Sequence, residues 1–144
     1  MHVTETSFTI DVGLQKLEVF LKNLEELGSC IPDVKEVQVI SPEKSIWKLV
    51  GKLGPLSKTF ALNATLVDVS PGHIRFVGEG DDIILRGVVD LSSESDTSTI
   101  INLRLEIETG GGIISRIVDF VIKNKLQEYT TEFKKRLTEK IKAE

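Results

Sequence analysis

The 144-residue chain is expected to fold as an α+β protein in which a curved antiparallel sheet of about seven strands wraps around a long C-terminal helix, with two short helices after the first strand. Three observations predict this. Residues 34–109 fall into short stretches of alternating apolar and polar residues separated by turn chemistry, which is the pattern of an antiparallel meander. Residues 113–142 carry one apolar stripe at three- and four-residue spacing, the period of an amphipathic helix. The strands present an apolar face that has to be covered, and the terminal helix is the element long enough to do so.

Along the chain, Phe8 and Ile10 alternate with polar neighbours and predict a half-buried strand over residues 6–12. The period then changes: Leu14, Leu17, Phe20 and Leu21 predict a helix over 13–22, with Asp11 as its cap. A second helical turn over 24–27 is expected to stop at Gly28, and Pro32 bars its continuation. The turns Ser41-Pro42-Glu43, Gly54-Pro55, Ser70-Pro71-Gly72, Gly80-Asp81-Asp82 and residues 92–96 then divide the meander. Lys44, Lys48 and Lys52 share one face of their strand, so Trp47, Leu49, Gly51 and Leu53 point inward. The same parity selects Phe60, Leu62, Ala64 and Leu66, then Ile74 and Phe76, then Leu85, Gly87, Val89 and Leu91, and finally Ile101, Leu103, Leu105 and Ile107. The last helix, predicted to be ~45 Å long at ~1.5 Å per residue, has the stripe Ile114, Val118, Ile122, Leu126, Tyr129, Phe133, Leu137 and Ile141. Ile113, Ile117, Phe120 and Val121 widen the apolar surface of its first half, which is therefore expected to be the more deeply enclosed.

The length suits a single domain, residues 1–144, and 40% apolar with 28% charged residues suits a globular fold rather than disorder. A net charge of −4 argues against an electrostatic nucleic-acid partner, which would need a basic face. Cys30 is the only cysteine and His2 and His73 the only histidines, so neither an internal disulfide nor a conventional metal site is expected. The opening Met-His-Val-Thr-Glu-Thr has no basic segment followed by an apolar run, which predicts cytoplasmic residence, and residues 113–122 are too short and too charged to cross a bilayer.

Strand, two short helices, antiparallel meander and long terminal helix together make the helix-grip arrangement. Cys30-Ile31-Pro32, Gly54-Pro55 with Phe60 downstream, Gly78-Glu79-Gly80 followed by Gly87, Gly110 with Ile113 and Ile114, and the late pair Phe133 and Leu137 extend the likeness to sequence. On these residues the chain resembles the START-related (SRPBCC) ligand-binding superfamily and, within it, the G-subunit family of carbon monoxide dehydrogenase. It departs from that pattern at Asp33, where the family usually has Gly, and at Asn23, where it usually has Asp. The resemblance implies a cavity between sheet and helix that holds an apolar small molecule. It also implies an accessory role toward a molybdenum hydroxylase.

In such a cavity the strands would contribute Trp47, Leu49, Phe60, Leu62, Phe76, Leu85, Val89, Leu103 and Leu105, and the helix Ile114, Ile117, Val118 and Val121. Apolar and aromatic walls of this kind suit a lipid-, sterol- or quinone-like molecule; plain core packing is the simpler account of the same residues. No catalytic residue, metal or cofactor is assigned, because these inward positions include no acid or base. A cyclase or aromatase of the same superfamily and a ligand-free interaction factor for metalloenzyme maturation are the competing functions. Gly110, Gly111 and Gly112 are candidates for a hinge at the cavity entrance, or for a turn needing positive φ. Cys30 reads as a small buried hydrophobe, His73 as an exposed ring, and Glu79, Asp81 and Asp82 as a solvated turn. The basic end of the last helix suits an acidic partner protein or an anionic membrane surface, and equally complements the helix dipole.

Overall fold

The computed structural model describes residues 2–53, 55–80 and 82–142. Gly54 and Asp81, each expected in a turn, lie outside the described residues, as does the Leu53 side chain. Strand β1 (His2–Ile10) leads into helices α1 (Leu14–Leu21) and α2 (Leu24–Cys30). The meander follows as β2 (Val34–Ser41), β3 (Lys44–Leu53), β4 (Leu56–Ser70), β5 (His73–Gly80), β6 (Ile83–Ser95) and β7 (Ser98–Thr109). Helices α3 (Gly112–Asn124) and α4 (Leu126–Lys142) end it. All seven strands form one antiparallel sheet in the order β1-β7-β6-β5-β4-β3-β2, the helix-grip arrangement.

Parity decides the two faces of this sheet. Trp47, Phe60, Leu62, Ala64, Ile74, Phe76, Val89, Leu91 and Ile101 are all buried, whereas their strand neighbours are half-buried or exposed. On the outer face Arg104 donates to Glu5 at 2.6 Å and to Glu106 at 3.1 Å, and Arg86 pairs with Glu108 at 3.2 Å. These exposed pairs add little to stability and keep that face in water.

Four local expectations are corrected. Asp11 does not cap α1: the N-cap is Gly13, which makes no side-chain hydrogen bond. Gly28 does not end α2 but lies within it, because the Trp47 indole occupies the space a side chain would need; a Cβ there would stand 2.6 Å from Trp47 Nε1. The terminal helix is divided at Lys125 (φ −123°, ψ −3°) into α3 and α4. Its first half is also not the better enclosed, since Ile113, Phe120, Val121 and Ile122 remain half-exposed while Leu137 and Ile141 of α4 are fully buried. Both departures from the family pattern have a local explanation. Asn23 is the N-cap of α2 and accepts from the Glu25 and Glu26 amides, a task Asp performs as well. Asp33 has φ +70°, a left-handed conformation that Gly adopts freely and Asp tolerates better than most residues.

The helices divide the inner face of the sheet between them. Helix α1 starts beside the β6–β7 hairpin, where Thr99 Oγ1 donates to the Val12 carbonyl at 2.7 Å, and it packs on β6. Helix α2 packs on β2, β3 and α4. Ile10, Trp47, Ile74, Leu91 and Ile101 therefore meet solid packing from α1 and α2. Phe60, Leu85, Leu103 and Leu105 lie toward the opposite end of their strands, beneath α3 and the start of α4. That end is not filled.

Candidate functional site

The space left between sheet and helices is an apolar cavity of about 200 Å³. Its floor is Leu49 and Gly51 of β3, Phe60 and Leu62 of β4, Phe76 of β5, Ile83 and Leu85 of β6, and Leu103, Leu105 and Ile107 of β7. Thr4, Thr6 and Phe8 of β1 form one side. The roof is Ile117, Val118, Val121 and Ile122 of α3 with Leu126, Tyr129, Thr130 and Phe133 of α4. Ile31, Pro32 and Asp33, in the α2–β2 loop, and Leu27 close it on the remaining side.

Two glycines make this geometry possible. A Cβ on Gly87 would come within 2.2 Å of Phe76 Cζ, so the Phe76 ring can lie across β6 only because that position has no side chain. A Cβ on Gly51 would come within 2.9 Å of Ile117 Cγ2, so α3 seats on β3 at that glycine. Phe8 and Phe133 meet edge to face with centroids 6.0 Å apart, a favoured aromatic geometry that fastens α4 to β1.

Of the residues assigned to the cavity from sequence, Leu49, Phe60, Leu62, Phe76, Leu85, Leu103, Leu105, Ile117, Val118 and Val121 line it. Trp47, Val89 and Ile114 do not. Trp47 is fully buried against Gly28 and Phe76, its ring centroid 5.7 Å from that of Phe76. Its Nε1 has no hydrogen-bond partner among the described residues. Val89, paired with Ile74 and Leu103 in the ladder, is in the filled half of the sheet, and Ile114 in the first turn of α3 joins the packed core. Parity identifies the face on which a side chain lies but not how far along the strand the covering helix reaches.

The glycines at the start of α3 meet the turn's need for positive φ. Gly111 has φ +97° and ψ −164°, and Gly112 has φ +68°, conformations that disfavour other residues. Gly110 instead donates its amide to the Asp82 carbonyl at 2.9 Å and packs against the Asp82 side chain, so Asp82 belongs to this turn. Cys30 is buried and its thiol is pushed up to about 11, chiefly by desolvation, which leaves it a poor nucleophile at neutral pH. His73 lies away from the cavity, its Nδ1 2.6 Å from Asp90 Oδ1.

Sequence reasoning missed the polar residues in the wall, Thr4, Thr6, Asp33, Tyr129 and Thr130, of which Asp33 and Tyr129 pair with each other. The Tyr129 hydroxyl donates to Asp33 Oδ2, joining the α2–β2 loop to α4. Burial and the neighbouring carboxylate both raise the Tyr129 pKa, so the phenol keeps its proton. Asp33 is held from the other side as well, for its carbonyl accepts from the Val50 amide at 3.1 Å, and Arg136 Nη1 donates to the Ile31 carbonyl at 3.2 Å. The α2–β2 loop and α4 thus bring a carboxylate and a phenol to the wall. The signal was available, since Tyr129 stands in the apolar stripe and Asp33 replaces a usual glycine.

Solved structures share this architecture. A conserved protein from Geobacillus kaustophilus superposes with a TM-score of 0.74 at 20% identity, covering 99% of this chain and 96% of that one. A START superfamily protein from Mycobacterium smegmatis gives 0.72 at 12% identity and 99% of both chains. The Zhui aromatase/cyclase from Streptomyces sp. R1128 gives 0.67 at 9% identity, covering 98% and 93%. At these identities the likeness is one of fold. No curated protein matches the chain in sequence. The family described as the G subunit of carbon monoxide dehydrogenase, CoxG, matches residues 7–142, nearly the whole sheet and all four helices. This chain belongs to the CoxG family of carbon monoxide dehydrogenase.

Proposed function

We propose that this domain binds a hydrophobic small molecule, lipid-, sterol- or quinone-like, between the sheet and α3–α4 and performs no chemistry on it. The observation that carries the reading is the apolar cavity itself: close packing ordinarily leaves few voids larger than a water molecule, and this one runs beneath the later turns of α3 and the first turns of α4. At about 200 Å³ it is smaller than the ~300–1,000 Å³ of typical small-molecule sites, so uptake requires a wall to move. Helix α3 is the wall suited to that, with left-handed glycines at one end, a break at Lys125 at the other and a half-exposed outer surface. Gly110, Gly111 and Gly112 act as the hinge in this reading.

Family membership supports an accessory role beside a molybdenum hydroxylase such as carbon monoxide dehydrogenase. Lys134, Lys135, Lys140 and Lys142 on α4 suit an acidic face of that partner or an anionic membrane surface, with the protein working in the cytoplasm. No helix among the described residues is long and apolar enough to cross a membrane. The cyclase or aromatase reading gains one observation, the Tyr129–Asp33 pair in the cavity wall, and turnover of a bound substrate would establish it.

Displacement of a fluorescent apolar probe tests the binding reading. Saturable binding to the wild type, lost in Leu103→Trp with the fold intact, is expected, because the larger ring fills the floor of the cavity. Absence of saturable binding across a panel of apolar probes would refute it. Trp47 emission is expected to respond only weakly, since the indole does not line the cavity and lies behind Phe76.

A further inference from the structure

From the Asp33–Tyr129 pair we infer the chemistry of the ligand's polar end: an amphiphile whose head donates a hydrogen bond, a hydroxyl or an ammonium, and not a carboxylate. The inference rests on the cavity reading above. Apart from Thr4, Thr6, Asp33, Tyr129 and Thr130, the side chains that line the cavity are apolar, and these five lie on β1, the α2–β2 loop and the first turns of α4. Asp33, Tyr129 and Thr130 are gathered on the side where the α2–β2 loop meets α4, whereas Thr4 and Thr6 lie on β1, at the other edge of the sheet. An amphiphile in this cavity would place its tail on the floor of leucines and phenylalanines and its head on the loop side.

What that side accepts follows from its hydrogen-bond inventory. The Tyr129 proton is committed to Asp33 Oδ2, and Thr130 Oγ1 donates to the Leu126 carbonyl at 3.0 Å. Asp33 Oδ1 makes no hydrogen bond among the described residues, and a carboxylate has no proton to offer. The strongest unused capacity is therefore acceptor capacity, and it carries negative charge. Arg136, which reaches the loop, is occupied by Glu132 at 3.0 Å and the Ile31 carbonyl, and is not part of the cavity wall. Asp33 cannot swing away to make room for an anionic head, because its backbone is bonded to β3 and its side chain to α4. A donor head meets a pre-organised acceptor, whereas a carboxylate head meets like charge.

The test compares probes of one tail length, dodecanol, dodecylamine, dodecanoate and methyl dodecanoate, by displacement of a fluorescent apolar probe from the wild type, Asp33→Asn and Asp33→Gly. Hydrogen bonds to charged groups are strong enough that the alcohol and the amine should bind roughly tenfold tighter than the ester, with dodecanoate weakest. Asp33→Asn should bring dodecanoate to within about threefold of the alcohol, and the amine should lose most of its advantage. Asp33→Gly, which takes φ +70° without strain, should give the same order if the asparagine variant folds poorly. Four heads bound equally by wild type and both variants, or dodecanoate bound tightest by the wild type, would overturn the anchor while leaving the cavity reading standing. Failure of every head to bind would overturn both.

Discussion

Replacing Gly111 with Ala separates a conformational role for the glycine turn from a gating role. At φ +97° and ψ −164° the residue occupies a region essentially reserved for glycine, where another side chain costs roughly 1–3 kcal/mol. Among the described residues nothing lies within 4 Å of the position its Cβ would take, so the cost is backbone strain. Alanine also narrows the unfolded ensemble and returns about 0.4–1 kcal/mol, leaving a net loss of about 1–2 kcal/mol and a fall in Tm of roughly 2–8 °C. Urea denaturation measures the loss, and stopped-flow mixing with an apolar probe measures uptake and release in the same protein. If α3 pivots here, uptake slows by more than the lost stability explains; if the glycine only satisfies a positive φ, stability falls and the rates hold. Gly110→Ala is the control, because its φ is not left-handed and its new Cβ would meet the Asp82 side chain at 3.2 Å, a contact a small shift relieves. A Gly111→Ala protein as stable as the wild type would refute the strain argument itself.

Three further substitutions probe the sheet beneath the cavity and residues outside its wall. Gly87→Ala should cost about 1–3 kcal/mol by overpacking against Phe76, and should weaken probe binding as that ring is driven toward the cavity; unchanged denaturation would show that Phe76 has somewhere else to go. Cys30 makes a pH-dependent prediction. Its thiol ionises at about 11 in the fold against 9.0 when free, so the unfolded chain loses the proton first as pH rises. The stability it contributes is complete below about pH 9 and declines, on the order of 2 kcal/mol, as pH climbs to about 11. Cys30→Ala should flatten that part of the stability profile and still bind the apolar probe, as should His73→Ala, neither residue being in the wall.

Alternation was the strongest signal in the sequence, because a sheet buried on one face leaves each residue only two directions. The seven strands and the inward set from Trp47 to Ile107 were legible for that reason. Other details depend on contacts between distant segments. Gly28 reads as a helix stop until Trp47 is known to lie against it, and Lys125 interrupts a stripe whose spacing alone predicts one rod. The extent of the cavity was hidden because α1 and α2 cover Trp47 and Val89 but not Leu49 and Leu85, a matter of helix placement. Asp33 and Tyr129 stand 96 positions apart and meet only after the loop and the last helix have packed.

The sheet order has a consequence for synthesis. Every neighbouring pair of strands is consecutive in the chain except one: β1 pairs with β7, with His2 opposite Ile107 and Phe8 opposite Ile101. A growing chain therefore carries β1, with Phe8 and Ile10, for nearly a hundred residues before its partner leaves the ribosome, about 5–20 s at ordinary elongation rates. Over that interval the remaining hairpins can zip one onto the next through local contacts, leaving the first strand as the last to dock. The N-terminal strand is then the part of the nascent sheet that waits longest for its partner, and its docking is the step that closes one side of the cavity.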